Sequence, residues 1–238
     1  MKSWKFALGG ALATALLIAS APASASNLVV NGSFEADTFN TGGGFELGLV
    51  GNGVTGWFIP ASDGTYPWGL QNGNSFGAGP AADGDQWIVL GETGQGGPST
   101  VDYTIQQTIN GLTAGNVYTL SFALSSELGA GGAATGEVSF LDGSSFAPTI
   151  FTAPPRGSTF WSPWQQFTTT FVATAASATL QFRDLAVENN SGGDLGIDNV
   201  SVTGAGVPEP AGWAMMLVGF FGLGALLRRR EERAVTTV

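Results

Sequence analysis

Between residues 26 and 206 apolar and polar positions alternate with the period of two that a half-buried strand requires. Val117–Ser125 is the clearest stretch, with Tyr118, Leu120, Phe122 and Leu124 on one face. Asp102–Ile109 puts Tyr103, Ile105 and Gln107 on one face and Thr104, Gln106 and Thr108 on the other. Gln165–Val172 keeps Phe167 and Phe171 at one parity, and Glu137–Leu141 groups Val138 with Phe140. Shorter runs at Leu28–Val30, Trp57–Ile59, Gln86–Leu90, Ala178–Phe182 and Gly196–Val202 read the same way, for about eight strands in all. Asp83-Gly84-Asp85 and Asn110–Gly115 are turn sequences. Residues 36–56 and 60–86 are glycine-rich and read as loops, and Pro154, Pro155 and Pro163 exclude 153–163 from any central strand. No helical period interrupts this region. The pattern predicts an all-β fold, an antiparallel jelly-roll β-sandwich of two packed sheets.

Both ends depart from the alternation. Residues 1–25 combine Lys2 and Lys5, the apolar stretch Phe6–Ala19 and the small-residue site Ala23-Ser24-Ala25, which are the three parts of a secretory signal peptide. Near the other end, Ala211–Leu227 is apolar on every side and, as a helix, about 26 Å long at 1.5 Å per residue. That is the lower limit for crossing a hydrocarbon core of about 30 Å, and the missing polar face argues for a transmembrane helix over a core helix. Trp213 suits the outer interface, and Arg228-Arg229-Arg230 would hold the far end in the cytoplasm. Pro208 and Pro210 leave an extended segment just before the apolar run.

The ordered set Val207-Pro208-Glu209-Pro210-Ala211, apolar segment and arginine cluster resembles the PEP-CTERM sorting signal of Gram-negative bacteria. The resemblance covers 207–232 and implies recognition of Pro208, Glu209 and Pro210 by an exosortase-type enzyme of the inner membrane. That enzyme would remove the tail and pass the protein to the cell surface or extracellular matrix. The chain thus divides into 1–25, an exported domain at 26–206, and the sorting segment with its helix at 211–227.

Composition narrows what the exported domain can do. Residues 26–210 hold 16 acidic side chains against Arg156 and Arg183, a formal charge of −14. Such a surface repels phosphate backbones, so nucleic acid is excluded as a partner, while divalent cations suit it. The chain has no cysteine and no histidine, which removes disulfides, Ser-His-acid and Cys-His catalysis. An enzyme would be left with paired carboxylates, as in glycoside hydrolases.

Asn31-Gly32-Ser33-Phe34-Glu35 near the start and Gly196-Ile197-Asp198-Asn199-Val200 near the end resemble the opening and closing motifs of the galactose-binding-like β-sandwich family, which includes many carbohydrate-binding modules. Asp83-Gly84-Asp85-Gln86-Trp87 and Thr113–Phe122 fit the same pattern, so the resemblance spans about 27–203. It implies a structural calcium ion held by Glu35 and Asp198, with Asp83 or Asp85 as a further ligand. Asn199 stands where a second aspartate is common. Phe34 and Ile197, of opposite parity to the carboxylates, are expected in the core.

Aromatic side chains outside the core are candidates to stack on sugar rings. Trp57 and Trp87 lie in strands and read as core, which leaves Tyr66, Trp68, Trp161 and Trp164. The overall reading is a non-catalytic surface or matrix protein with exopolysaccharide as candidate ligand. A carboxylate-pair hydrolase and a protein–protein scaffold are the alternatives.

Overall fold

The computed structural model describes residues 26–38, 44–46, 49, 51–60, 69–73, 79–91, 103–127, 133–155, 161–185, 194–204 and 219–222. The expected signal peptide and Pro208–Pro210 lie outside these residues. Of the apolar run 211–227 only Gly219–Gly222 are described, and they are helical. Among the described residues no helix is long and apolar enough to cross a membrane.

The unit Ala25–Gly206 is all-β, as its alternation predicts. Its strands are β1 (Gly51–Val54), β2 (Trp57–Ile59), β3 (Leu70–Asn72), β4 (Gln86–Leu90), β5 (Thr104–Asn110), β6 (Val117–Ser126), β7 (Thr135–Phe140), β8 (Thr149–Thr152), β9 (Gln165–Val172), β10 (Ser177–Asp184) and β11 (Leu195–Gly204). They form a six-stranded sheet in the order β1-β2-β5-β10-β7-β8 and a five-stranded sheet in the order β3-β4-β11-β6-β9. The pairings described are antiparallel throughout.

The core follows from strand parity. Ala178, Leu180 and Phe182 of β10 are buried, as are Tyr118, Leu120, Phe122 and Leu124 of β6. Phe122 of one sheet meets Phe182 of the other edge-on at 5.2 Å, so the two inner faces interlock through aromatic rings. Each of these leucines and phenylalanines contributes about 1.5–3 kcal/mol when fully buried.

Three strands lie where the sequence reads as loop or carries no strand signal. β1 falls inside 36–56, β3 inside 60–86, and β8 follows Pro148. All three are edge strands of three or four residues, too short for a period of two to be legible. Leu28–Val30, read as a strand, is not one. Its backbone is satisfied by side chains and by one strand edge instead. The Leu28 N–H donates to the Val202 carbonyl (2.9 Å), and the Val29 N–H to Asn27 Oδ1 (3.0 Å). The Val30 N–H donates to Gln107 Oε1 (2.8 Å), while Gln107 Nε2 donates to the Val30 carbonyl (2.8 Å).

Gln107 thus points inward with Ile105, as its parity predicts, and its amide stands in for a strand partner. Replacing it by leucine keeps the volume and leaves two backbone groups of Val30 unbonded. Gln107→Leu should therefore cost about 2–4 kcal/mol in urea unfolding of residues 26–206, whereas half-buried Gln106→Leu should cost under about 1 kcal/mol. Equal losses would contradict this role.

Candidate functional site

Two motifs far apart in sequence converge on the turn that precedes β4. Asn31, with φ of 51°, opens the first and is pinned by its own side chain. Its Nδ2 donates to Asp37 Oδ2 (3.0 Å) and to the Thr55 carbonyl (3.0 Å), and its Oδ1 accepts the Ala36 N–H (2.9 Å). Phe34, also at positive φ (60°), is fully buried and packs on Trp57 at 5.4 Å. A bulky residue is rarely found there, and the ring's burial holds it in place. With Phe34 turned into the core, its neighbour Glu35 faces out toward residues 84–86.

The second motif is a bulge in β11. The register with β6 shifts between Asp198 and Ser201, and Asn199 adopts φ of 49°. Asparagine tolerates this left-handed conformation better than most residues. The bulge aims the fully buried Asp198 side chain at the same turn from the other side.

Between them the turn offers its backbone N–H groups to the two carboxylates. Ala82 and Asp83 donate to Asp198 Oδ2 (2.8 and 2.9 Å), and Asn199 donates to Oδ1 (2.6 Å). Asp85 and Gln86 donate to Glu35 Oε1 (2.7 and 2.6 Å). Gly84, at φ of 75°, lets the turn pass beneath Glu35, because a Cβ there would sit 2.5 Å from Oε1.

Burial raises the Asp198 carboxyl to about 7; its three backbone donors pull it down, and the charge of Asp83 pushes it further up. Arg183, the basic side chain among the described residues, is paired with Glu137 at 3.6 Å. Two carboxylates on one turn suit calcium in kind: Asp198 Oδ1 and Glu35 Oε2 each keep a lone pair, whereas Asp198 Oδ2 and Glu35 Oε1 already accept two N–H groups apiece. Calcium takes six to eight oxygens, so backbone carbonyls or water would have to supply the remainder. Among the described residues no group of three or more acidic side chains could hold a metal. Asp83 and Asp85 bring their N–H groups to the two carboxylates, and both residues are exposed.

Beside this turn, on the outer face of the five-stranded sheet, lies a second apolar cluster: Trp87, Val89 and Trp161, with Ala81 and Trp164 against it. Trp87 is buried as expected, but here rather than between the sheets. Trp161 and Trp164 meet it edge-on at 5.7 and 5.8 Å, and Trp164 Nε1 donates to the Pro80 carbonyl (3.0 Å). Both rings lie over Gly196, where a Cβ would come within 2.7 Å of Trp161 Cζ3. Trp161 is buried and Trp164 half-buried. Tyr66 and Trp68 lie outside the described residues.

Glu127 and Gln71, neither of which the sequence singled out, form a buried pair, with Gln71 Nε2 donating to Glu127 Oε2 at 3.4 Å. Desolvation raises the Glu127 carboxyl to about 7, opposed by the Gln71 contact. A lone acid just past an alternating strand reads as surface, and Gln71 stands in a glycine-rich stretch. Neither carries a sequence signal.

From Trp164 an exposed polar strip continues along β9, β6 and β11. Gln166 Nε2 donates to Ser121 Oγ (2.9 Å), Asn199 Nδ2 to Gln166 Oε1 (3.4 Å), and Ser121 Oγ lies 3.2 Å from Thr168 Oγ1.

No protein-family profile and no curated protein matches the chain. Solved structures match it at low identity and with TM-scores under 0.5. A family 4 carbohydrate-binding module is 17% identical, with a TM-score of 0.40, over 74% of this chain and 99% of that one. A family 61 module in complex with β-1,4-galactotriose is 14% identical, with a TM-score of 0.41, over 76% of this chain and 99% of that one. The enzymatically active domain of tailspike protein 4 of bacteriophage CBA120 is 18% identical, with a TM-score of 0.47, over 75% of this chain. The chain spans about a fifth of that domain, 21% of its length.

Two outcomes test this arrangement. Gly196→Ala should lower stability by about 1–3 kcal/mol and alter tryptophan fluorescence, because the indoles must shift; unchanged emission and melting would contradict the packing. Glu127 has a folded value raised above its unfolded one, so its contribution is present in full below about pH 4.5 and is lost as pH rises through about 7. Chemical unfolding from pH 4.5 to 8 should show the wild type losing more stability than Glu127→Gln, by at most about 3 kcal/mol. Parallel profiles would contradict the burial of an ionising carboxyl.

Proposed function

We propose that the chain is a non-catalytic, exported β-sandwich that binds polysaccharide at the cell surface or in the extracellular matrix. The observation that carries this reading is the strip beside Trp164. A half-buried indole borders the amides of Gln166 and Asn199 and the hydroxyls of Ser121 and Thr168 on an open sheet face. An aromatic edge with amide and hydroxyl groups in a row matches the alternating apolar faces and hydroxyls of a sugar chain. Trp161 lies beneath as support for Trp164, by way of Trp87.

Calcium is proposed as a structural ion, with Glu35 and Asp198 as its side-chain ligands. A fully buried carboxylate with no basic neighbour among the described residues is the support, since a cation would offset the burial that raises its pKa. Export rests on residues 1–25, and passage to the surface on Pro208-Glu209-Pro210 with the apolar run 211–227, read by an exosortase-type partner in the inner membrane of a Gram-negative bacterium.

A glycan array of residues 26–206 in calcium should give saccharide binding that Trp164→Ala reduces at least about tenfold, the loss of one well-placed aromatic contact. No binding to any glycan, or binding unchanged by Trp164→Ala, would overturn the proposed face. Calcium should raise the melting temperature of the wild type and leave that of Glu35→Ala unmoved; identical melts with calcium and with chelator would remove the ion. Intact mass of the surface form should lack about 30 residues after Pro208–Pro210, in keeping with a helix at the lower limit for spanning. A mass for 26–238 would show a permanent anchor instead.

A further inference from the structure

Among the described residues, three of the four sheet edges are short or irregular. β3 has three residues and β1 four, and the register between β1 and β2 shifts. β8 has four, bracketed by Pro148 and Pro154. β9 is different. It runs eight residues in unbroken register with β6, is the last strand of its sheet among the described residues, and carries no charge, proline or bulge. Five of its residues are exposed, and the Ser145 N–H on the Val172 carbonyl covers only its far end. Such an edge leaves a row of backbone N–H and C=O groups open to another strand.

The sequence of β9 says which strand. Phe167-Thr168-Thr169-Thr170-Phe171 reads the same in both directions about Thr169. Paired antiparallel with itself about Thr169, it would place Phe167 opposite Phe171 of a second copy, Thr168 opposite Thr170, and Thr169 opposite its own equivalent. Matching aromatic and threonine pairs are favourable cross-strand neighbours. Phe167 is half-buried against Phe122 at 5.7 Å and Phe151 at 5.3 Å, so the added strand would complete its cover. Charge points the same way. Two copies of a domain whose residues 26–206 carry a formal charge of −13 repel over most approaches, and β9 offers one free of charge.

We infer that β9 is a homodimer interface, in which two copies of this chain join their five-stranded sheets edge to edge about a two-fold axis at Thr169. The contact is isologous and closes on itself, so it yields a dimer rather than a fibre. At the surface it would present two outer faces side by side.

The chain has no cysteine, so one introduced residue reports the contact without background. Residues opposite in an antiparallel pair have Cα atoms about 4.5–5.5 Å apart, within the range a disulfide spans. The full chain carrying Thr169→Cys, oxidised after export, should migrate at twice its mass on a non-reducing gel and return to monomer on reduction. Thr108→Cys, exposed on the other sheet, should stay monomeric, and adding Thr168→Lys to Thr169→Cys should abolish the dimer. A monomeric Thr169→Cys chain, equal cross-linking at Thr108→Cys, persistence with Thr168→Lys, or cross-linking to a different protein would each overturn the inference.

Discussion

Four backbone N–H groups of one turn are shared between two carboxylates, and this arrangement joins the ends of the domain. Asp198 belongs to the last described strand and Glu35 to the first described segment. The two lie far apart in sequence, and no described strand pairing joins them: Asp198 pairs with Ala123 in the ladder, and Glu35 lies outside the strands. The turn 82–86 is their common partner. Charge-assisted bonds of this kind are stronger than neutral ones, and a buried carboxylate without them would be costly. Two residues at positive φ, Phe34 and Asn199, put the carboxylates in position. The strain at both is held by burial of Phe34 and by the bulge in β11.

The same turn links the clamp to the outer face. It leads directly into β4, where Trp87 lies under Trp161 and Trp164, and Pro80 just before it accepts the Trp164 N–H. The orientation of the half-exposed indole therefore depends on the placement of residues 80–86. Structure and candidate binding chemistry meet in that short segment. Gly196 completes the connection, since the indoles reach the sheet only where β11 has no side chain.

Much of this was legible in the sequence. The period of two located the long strands and their inner faces, including Gln107, and the opening and closing motifs pointed to Glu35 and Asp198 as calcium ligands, not as acceptors of the turn's N–H groups. Those signals are local, or depend on residue types with few uses. The short edge strands were not legible, because three or four residues cannot display a period. Leu28–Val30 misled because an apolar triplet looks the same whether its backbone bonds to a strand or to a side-chain amide. Glu127 and Gln71 were silent for another reason. Their burial is set by what folds over the outer face, and no pattern in their own neighbourhood records it.

Hydrogen exchange at the four turn amides tests the clamp most directly. In the native protein Ala82, Asp83, Asp85 and Gln86 should exchange slowly, as bonded groups do, though they lie in a largely exposed turn. Asp198→Asn should speed exchange at Ala82 and Asp83 more than at Asp85 and Gln86, and Glu35→Gln should do the reverse. Fast exchange at all four in the wild type, or equal changes in both variants, would contradict the account.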